Sequence, residues 1–192
     1  MIPKIELLHG DCLEVMRGLP AQSVNCCVTS PPYWGLRDYG TEPQIWEDIN
    51  RPFPDDPGRH FSYCEHEWGG TEKGGLGEER RNQGGNFCQK CGAWKGSLGL
   101  EPTPDLFISH LVQIFHEVKR VLRDDGTLWV NIGDSYAGSG KGAMADGSGT
   151  GGIKQTTNKG TQVGSFTKSQ LNGLKPKDLV GIPWMLAFAL RA

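Results

Sequence analysis

The chain has 192 residues, with 20 Lys and Arg against 22 Asp and Glu and a formal charge of −2. That balance excludes a strongly basic nucleic-acid binder of the histone type and leaves room for a local basic surface. No run approaches the ~20 apolar residues of a spanning helix. The start, Met1-Ile2-Pro3-Lys4, lacks the basic segment and apolar core of a secretory signal, so a cytoplasmic protein with no membrane partner is expected. The length suits one compact domain, or one domain carrying a small insert.

In chain order, the apolar run Ile5–Leu8 predicts a strand, residues 11–18 a short amphipathic helix, and Val24–Thr29 a second strand leading into Ser30-Pro31-Pro32-Tyr33-Trp34. Strand, helix and strand in so short a span form a βαβ unit, which favours a parallel sheet covered by helices. Residues 35–100 change character: rich in Gly, Pro and charge, with no sustained periodicity, they hold Trp46, Trp68, Trp94 and half of the cysteines. Such a segment has little apolar surface to offset its ordering entropy and needs a staple.

Regular pattern returns at residues 103–133. Thr103 suits a cap, Pro104 the first helical position and Asp105 the positive end of the helix dipole. Leu111, Ile114 or Phe115, Val118 and Val121-Leu122 recur at helical spacing up to Arg123-Asp124-Asp125-Gly126, and Thr127–Ile132 predicts the next strand. Residues 138–177 are low in complexity, with six Lys (141, 154, 159, 168, 175, 177) against Asp146, a local charge of +5. They read as a mobile basic loop, either a plain surface loop or a flap that orders over DNA phosphates. From Asp178 the chain turns apolar again, predicting a helix with Pro183 in its first turns, and stops at Ala192 with no polar tail.

The six cysteines, Cys12, Cys26, Cys27, Cys64, Cys88 and Cys91, accompany no secretory signal and read as thiols of a reducing compartment. Cys64-x-His66 and Cys88-x-x-Cys91 offer four soft ligands in two tight pairs, the second followed by Gly92. This is the donor set of a tetrahedral structural zinc site, placed in the segment that most needs a staple; the alternative is simple unpaired thiols. A catalytic zinc is disfavoured, because the protein fills all four positions. Gly147–Gly152 matches a dinucleotide fingerprint by letter but neither closely follows a strand nor opens a helix. Gly140-Lys141 lacks the Ser/Thr of a phosphate loop, having Gly142 in its place. His110 and His116 sit within a helix pattern and read as surface or packing residues.

The segment Ser30–Tyr33 is the most informative feature. Two prolines fix the backbone at the carboxyl end of a strand, where open α/β sheets bind ligands. Carbonyls there can point into a cleft, and Tyr33 offers a ring for stacking, a combination suited to a planar amino-bearing group such as a flipped base. Asp11 can cap the helix that follows it.

Ser30-Pro31-Pro32-Tyr33 resembles motif IV, [D/N/S]-P-P-[Y/F/W], of the S-adenosylmethionine-dependent methyltransferases that act on exocyclic amines in DNA. His9-Gly10-Asp11-Cys12-Leu13, with Leu19-Pro20 and Ser23-Val24, is similar to the segment that precedes this motif in the beta-type arrangement. Gly126–Tyr136 and Leu174–Leu179 also resemble later blocks of the family. The resemblance implies a partial Rossmann-like class I methyltransferase sheet within an α/β fold, residues 1–192 being a single, incomplete catalytic domain with 35–100 as its insert. It implies that the Ser30 hydroxyl and Pro31 carbonyl hold the target amine, that Pro32 helps to fix the loop and that Tyr33 stacks on the base. Asp11 and the Cys12 backbone would lie near the adenosine of S-adenosyl-L-methionine. The Ser form favours cytosine N4 over adenine N6; methylation of a protein amide or an RNA base, and a non-catalytic zinc-stapled DNA-binding fragment, are the other readings. Duplex DNA is the implied partner, with a cognate restriction enzyme sharing its site, in the cytoplasm of a bacterial or phage-infected cell. In family terms the insert falls where target-recognition elements are placed. One departure is the Phe-x-Gly-x-Gly cofactor loop, which the family places after these blocks and which is not found after Asp178. The resemblance therefore implies a truncated chain.

Overall fold

A computed structural model describes residues 4–47, 64–69, 85–137, 173–175 and 177–192. Helix α1, Cys12–Arg17, begins where the Asp11 carboxylate accepts from the Leu13 and Glu14 amides at 3.0 and 3.2 Å. Its other end is closed by Arg120, whose guanidinium donates to the Met16 and Leu19 carbonyls. Strand β1 is Val24–Thr29, β2 Gln44–Trp46 and β3 Trp94–Gly96. Helix α2, Pro104–Val121, is followed directly by β4, Leu122–Val130, and the last element is α3, Ile182–Arg191.

Strands β1 and β4 pair in parallel, from Val24 with Leu122 to Thr29 with Val130. Residues 123–126 bulge out of the register between these ends. Gly126 suits that bulge, because a Cβ there would lie 2.9 Å from the Arg123 carbonyl oxygen and 3.2 Å from that of Asn25. Strands β2 and β3 form an antiparallel ribbon, Gln44 facing Gly96 and Trp46 facing Trp94. Gln113 of α2 donates to the Glu47 carbonyl and ties the ribbon to the helix.

The core follows the periodicity of α2. Phe107, Leu111, Phe115 and Val118 lie buried on one face, with Trp34 and with Ile182 and Leu186 of α3. Along the parallel pair, Cys27, Leu128 and Val130 turn toward this core. The alternate residues Val28 and Trp129 are 77% and 65% exposed, so α2 covers one face of the pair.

Three expectations are corrected. Ile5–Leu8 is irregular and exposed rather than a strand; among the described residues no segment pairs with it, and a strand exists only through its ladder. The strand expected over Thr127–Ile132 starts at Leu122 and ends at Val130, because the polar Arg-Asp-Asp-Gly run is a bulge within a strand rather than a turn before it. Residues 35–100 are not irregular throughout, since they contribute both strands of the ribbon. Most of the basic segment 138–177, namely 138–172 and 176, lies outside the described residues.

Candidate active site and metal centre

The β1–β4 ladder ends with the Asn131 amide donating to the Thr29 carbonyl, and the Ser30–Tyr33 loop starts at that point. Ser30 is exposed, while Pro31, Pro32 and Tyr33 are half-buried. Among the described residues nothing donates to the Ser30 hydroxyl or to the Pro31 carbonyl. The loop is anchored by Trp34 and Gly35 at its carboxyl end. Trp34 is 2% exposed, its indole N–H donating to the Glu101 carbonyl at 2.8 Å and its own carbonyl accepting from the Ser135 hydroxyl at 2.7 Å. The Gly35 amide donates to the Gly99 carbonyl at 2.7 Å.

Gly133 is the floor beneath Tyr33. A Cβ at Gly133 would lie 2.8 and 2.9 Å from two ring carbons of Tyr33, closer than side chains pack. The next residue, Asp134, reaches α3: its carboxylate accepts from the Gly181 amide at 2.9 and 3.0 Å and from the Ile182 amide at 3.0 Å. Gly181 has no side chain with which to cap the helix, so Asp134 supplies the cap from across the sequence. Antiparallel bonds between residues 135–137 and 177–180 bring the last described segment alongside.

Asp11 uses one carboxylate oxygen to cap α1 and the other to accept from the Gln44 side chain. A carboxylate has about four acceptor sites, so one remains for an amino or hydroxyl donor. Cys12, the first residue of α1, is exposed. Among the described residues no hydrogen bond joins Asp11 or Cys12 to Ser30–Tyr33. Their connection runs through Gln44 and the ribbon to the turn at 97–101, where Gly99 backs Pro32.

Cys64, His66, Cys88 and Cys91 converge, their ligand atoms all within 4.8 Å of one another. The Cys64 and Cys88 sulfurs are 3.8 Å apart and the Cys91 sulfur is 3.4 Å from His66 Nδ1. Tetrahedral zinc with Zn–S of ~2.3 Å and Zn–N of ~2.0 Å spaces its ligands by about 3.5–3.8 Å, so the donor set and its spacing fit that ion. The local fold explains the convergence. Gly92, at φ +78, reverses the chain so that its amide bonds the Cys88 carbonyl, while the Gln89 amide bonds the Glu67 carbonyl and draws the two pairs together. Burial pushes the Cys88 thiol up, but hydrogen bonds from the Cys91 and Lys90 amides and from the His66 and Cys91 side chains outweigh it and bring it down to about 6. The Cys91 thiol is pushed up to about 12, first by burial and then by its thiol neighbours.

All four residues read as metal ligands are thus brought together, as are the four of the Ser-Pro-Pro-Tyr loop. His110 is a packing residue but not a surface one: it is fully enclosed, stacked on Trp46 and Trp94. Trp34, Glu101, Gly133 and Ser135 are site residues that the motifs do not single out. Trp34 follows the motif directly, and a large indole after two prolines is a usable signal for an anchor. Nothing local marks Glu101 or Gly133.

A family model described as DNA methylase matches residues 24–177. The Type II methyltransferase M.Cfr9I of Citrobacter freundii is 39% identical over 185 residues, covering 96% of this chain and 41% of that protein. M.XycI of Xanthomonas campestris pv. cyanopsidis is 40% identical over 185 residues, with the same 96% and 41% coverage. M.SmaI of Serratia marcescens is 34% identical over 186 residues, covering 97% of this chain and 42% of that protein. The chain thus spans about two-fifths of the length of these relatives. No solved structure matches it. A family model covering most of the chain agrees with relatives aligned almost from end to end of it, and with a Pro-Pro-Tyr loop at a strand's carboxyl end: the chain belongs to the N6/N4 DNA methylase family.

Proposed function

We propose that this chain carries the target-amine site of an S-adenosylmethionine-dependent DNA methyltransferase acting on cytosine N4 in duplex DNA. The observation that carries the reading is the Ser30–Tyr33 loop: two oxygen acceptors with no donor among the described residues and an aromatic ring, set at the end of β1 and anchored from behind by Trp34. An exocyclic amine has hydrogens to donate and a lone pair delocalised into its ring. Hydrogen bonds from that amine to the Ser30 hydroxyl and the Pro31 carbonyl hold its lone pair in one direction, while Tyr33 supports the flipped base by stacking. Pro32 keeps the carbonyl of Pro31 aimed by restricting the backbone. S-adenosylmethionine, when bound, supplies an electrophilic methyl on a sulfonium, so the chain needs no covalent nucleophile. Asp11, with its remaining acceptor site, and the Cys12 backbone would hold the adenosine. The Ser30 form supports cytosine; adenine N6 is the alternative base.

The same reading makes residues 1–192 a single, incomplete catalytic domain built on a Rossmann-like sheet, with residues 35–100 an insert stapled by structural zinc on Cys64, His66, Cys88 and Cys91. The +5 segment 138–177 supports contact with DNA phosphates. The names of the relatives support a Type II methyltransferase setting; a restriction enzyme acting on the same site and a cytoplasmic location belong to the same proposal. The test is transfer of radiolabel from S-adenosylmethionine to duplex DNA, followed by nucleoside mass spectrometry. Labelled N4-methylcytosine that disappears in Tyr33→Ala is the expected result. Labelled N6-methyladenine replaces the base assignment, and no transfer alongside retained DNA binding favours a non-catalytic DNA-binding role.

A further inference from the structure

Two titratable side chains outside the proposed chemistry are completely enclosed. Glu101 and His110 show 0% side-chain exposure, with the Glu101 Oε1 and His110 Nδ1 atoms 2.9 Å apart. The imidazole stacks on both Trp46 and Trp94, with ring centres at 4.7 and 5.4 Å, and its Nε2 has no partner among the described residues. Burial raises the Glu101 carboxyl, against the hydrogen bond and charge of His110. Such a pair is a poor source of stability, since desolvation consumes most of what the contact returns and an apolar pair of similar volume would serve as well. A carboxylate differs from an apolar side chain in directing two oxygens to two fixed donors. One oxygen meets His110 on α2, and the other accepts from the Gly99 amide at 2.8 Å.

Gly99 is where the motif loop rests. At φ +91, a Cβ there would lie 3.0 Å from Pro32 Cβ and 3.3 Å from the Tyr33 carbonyl oxygen. The Gly99 carbonyl holds the Gly35 amide, and the Glu101 carbonyl holds the Trp34 indole. The turn at 99–101 therefore touches the loop at Pro32, Tyr33, Trp34 and Gly35, and the turn itself is fixed to the core helix by the Glu101 side chain.

We propose that Glu101 and His110 are positioning residues, a buried brace that sets the Ser30–Trp34 loop against α2 without touching substrate. Its functional weight rests on the methyl-transfer reading, but the brace itself is measured without catalysis. Glu101→Gln keeps an oxygen for the Gly99 amide, and its NH2 donates to His110 Nδ1 once the ring takes the tautomer protonated at Nε2. Glu101→Asp, shorter by one methylene, keeps the charge but cannot span both partners. Native-state hydrogen exchange should show protection of the Gly35 amide falling about tenfold in Glu101→Asp, with the β1 amides and the interior of α2 unchanged. Glu101→Gln should stay within about threefold of the parent. In methyl transfer to DNA, Glu101→Asp should lower kcat about 10–100-fold with KM little changed, and Glu101→Gln should restore it. Unchanged Gly35 protection in Glu101→Asp overturns the brace, as does equal loss of protection across β1 and α2, which is simple destabilisation. Loosened Gly35 in a chain that transfers no methyl group keeps the brace and removes the methyl-transfer reading.

Discussion

Replacement of Asp134 by Ala tests the cap that joins the site to α3. The carboxylate accepts from the amides of Gly181, Ile182 and Ser135. Ile182 is 0% exposed, so its amide gains no ready access to water when the acceptor is removed. Loss of a cap costs about 1 kcal/mol, hydrogen bonds to a charged acceptor about 1.5–3 kcal/mol, and the favourable end of the helix dipole about 0.3–1 kcal/mol. These contributions overlap, because they describe the same contacts, and partial solvent access at Gly181 reduces them, leaving a net loss of about 2–3 kcal/mol. For a chain of this size that corresponds to about 5–10 °C in Tm. Asp134→Asn keeps one acceptor oxygen without the charge and should lose about 1 kcal/mol. Urea unfolding followed by circular dichroism gives the stabilities, and hydrogen exchange over residues 185–190 locates the loss. If Ala changes stability by less than about 0.5 kcal/mol, or if Asn is as damaging as Ala, Asp134 is not acting as the acceptor for this helix.

Gly133→Ala should force the Tyr33 ring aside and lower kcat/KM for methyl transfer about five- to hundredfold, the worth of one base–aromatic stack. Stability should change little, because the displaced ring is half-buried; equal loss of both in unfolding and transfer assays contradicts this. Elemental analysis should find one zinc per chain, and chelation or Cys91→Ser should lower Tm while releasing the 64–68 and 85–93 amides to exchange before those of α2. Trp34→Phe removes the indole donor to the buried Glu101 carbonyl and should destabilise the chain by about 1–2 kcal/mol in urea unfolding. Asp11→Asn should affect S-adenosylmethionine binding less than Asp11→Ala in equilibrium dialysis, since Asn still caps α1.

What the sequence made legible was local. Helix α2 could be read because Thr103-Pro104-Asp105 and the spacing of Leu111, Ile114 or Phe115, Val118 and Val121 act within one segment. The grouping of Cys64 with His66 and of Cys88 with Cys91 could be read because each pair lies within a few residues, and Asp11 as a cap because its partners are two and three residues away. The misses involve a second, distant segment. Ile5–Leu8 has the composition of a strand, but composition does not supply a neighbour to pair with. Arg123–Gly126 has the composition of a turn, yet its flanks both pair with β1. The cap of α3 comes from a residue 47 positions earlier, and Glu101, among prolines and threonine, carries no sign that a histidine nine residues on will enclose it. Burial of charge depends on what surrounds it, and that is a property of the assembled core.

The arrangement also explains why so much structure stands behind so short a motif. On the methyl-transfer reading the chain provides no nucleophile, so its contribution is the direction in which two oxygens and one ring are held. Such chemistry is unforgiving of position: a displacement of about 1 Å can cost a factor of about a hundred. The acceptors themselves must stay open, so they cannot be fixed by bonds of their own. The fixing is displaced onto neighbours: Trp34 bonded at its indole and its carbonyl, Gly35 bonded to Gly99, and the Tyr33 ring lying on Gly133. Each neighbour belongs to a different part of the fold, the 99–101 turn after the ribbon on one side and the 133–135 segment before α3 on the other. The cluster of Cys64, His66, Cys88 and Cys91 enters the same logic from a distance. Its Cys88–Cys91 half lies just before β3, and β3 leads into the turn that backs Pro32, so on the zinc and methyl-transfer readings chelation should lower kcat before it weakens DNA affinity.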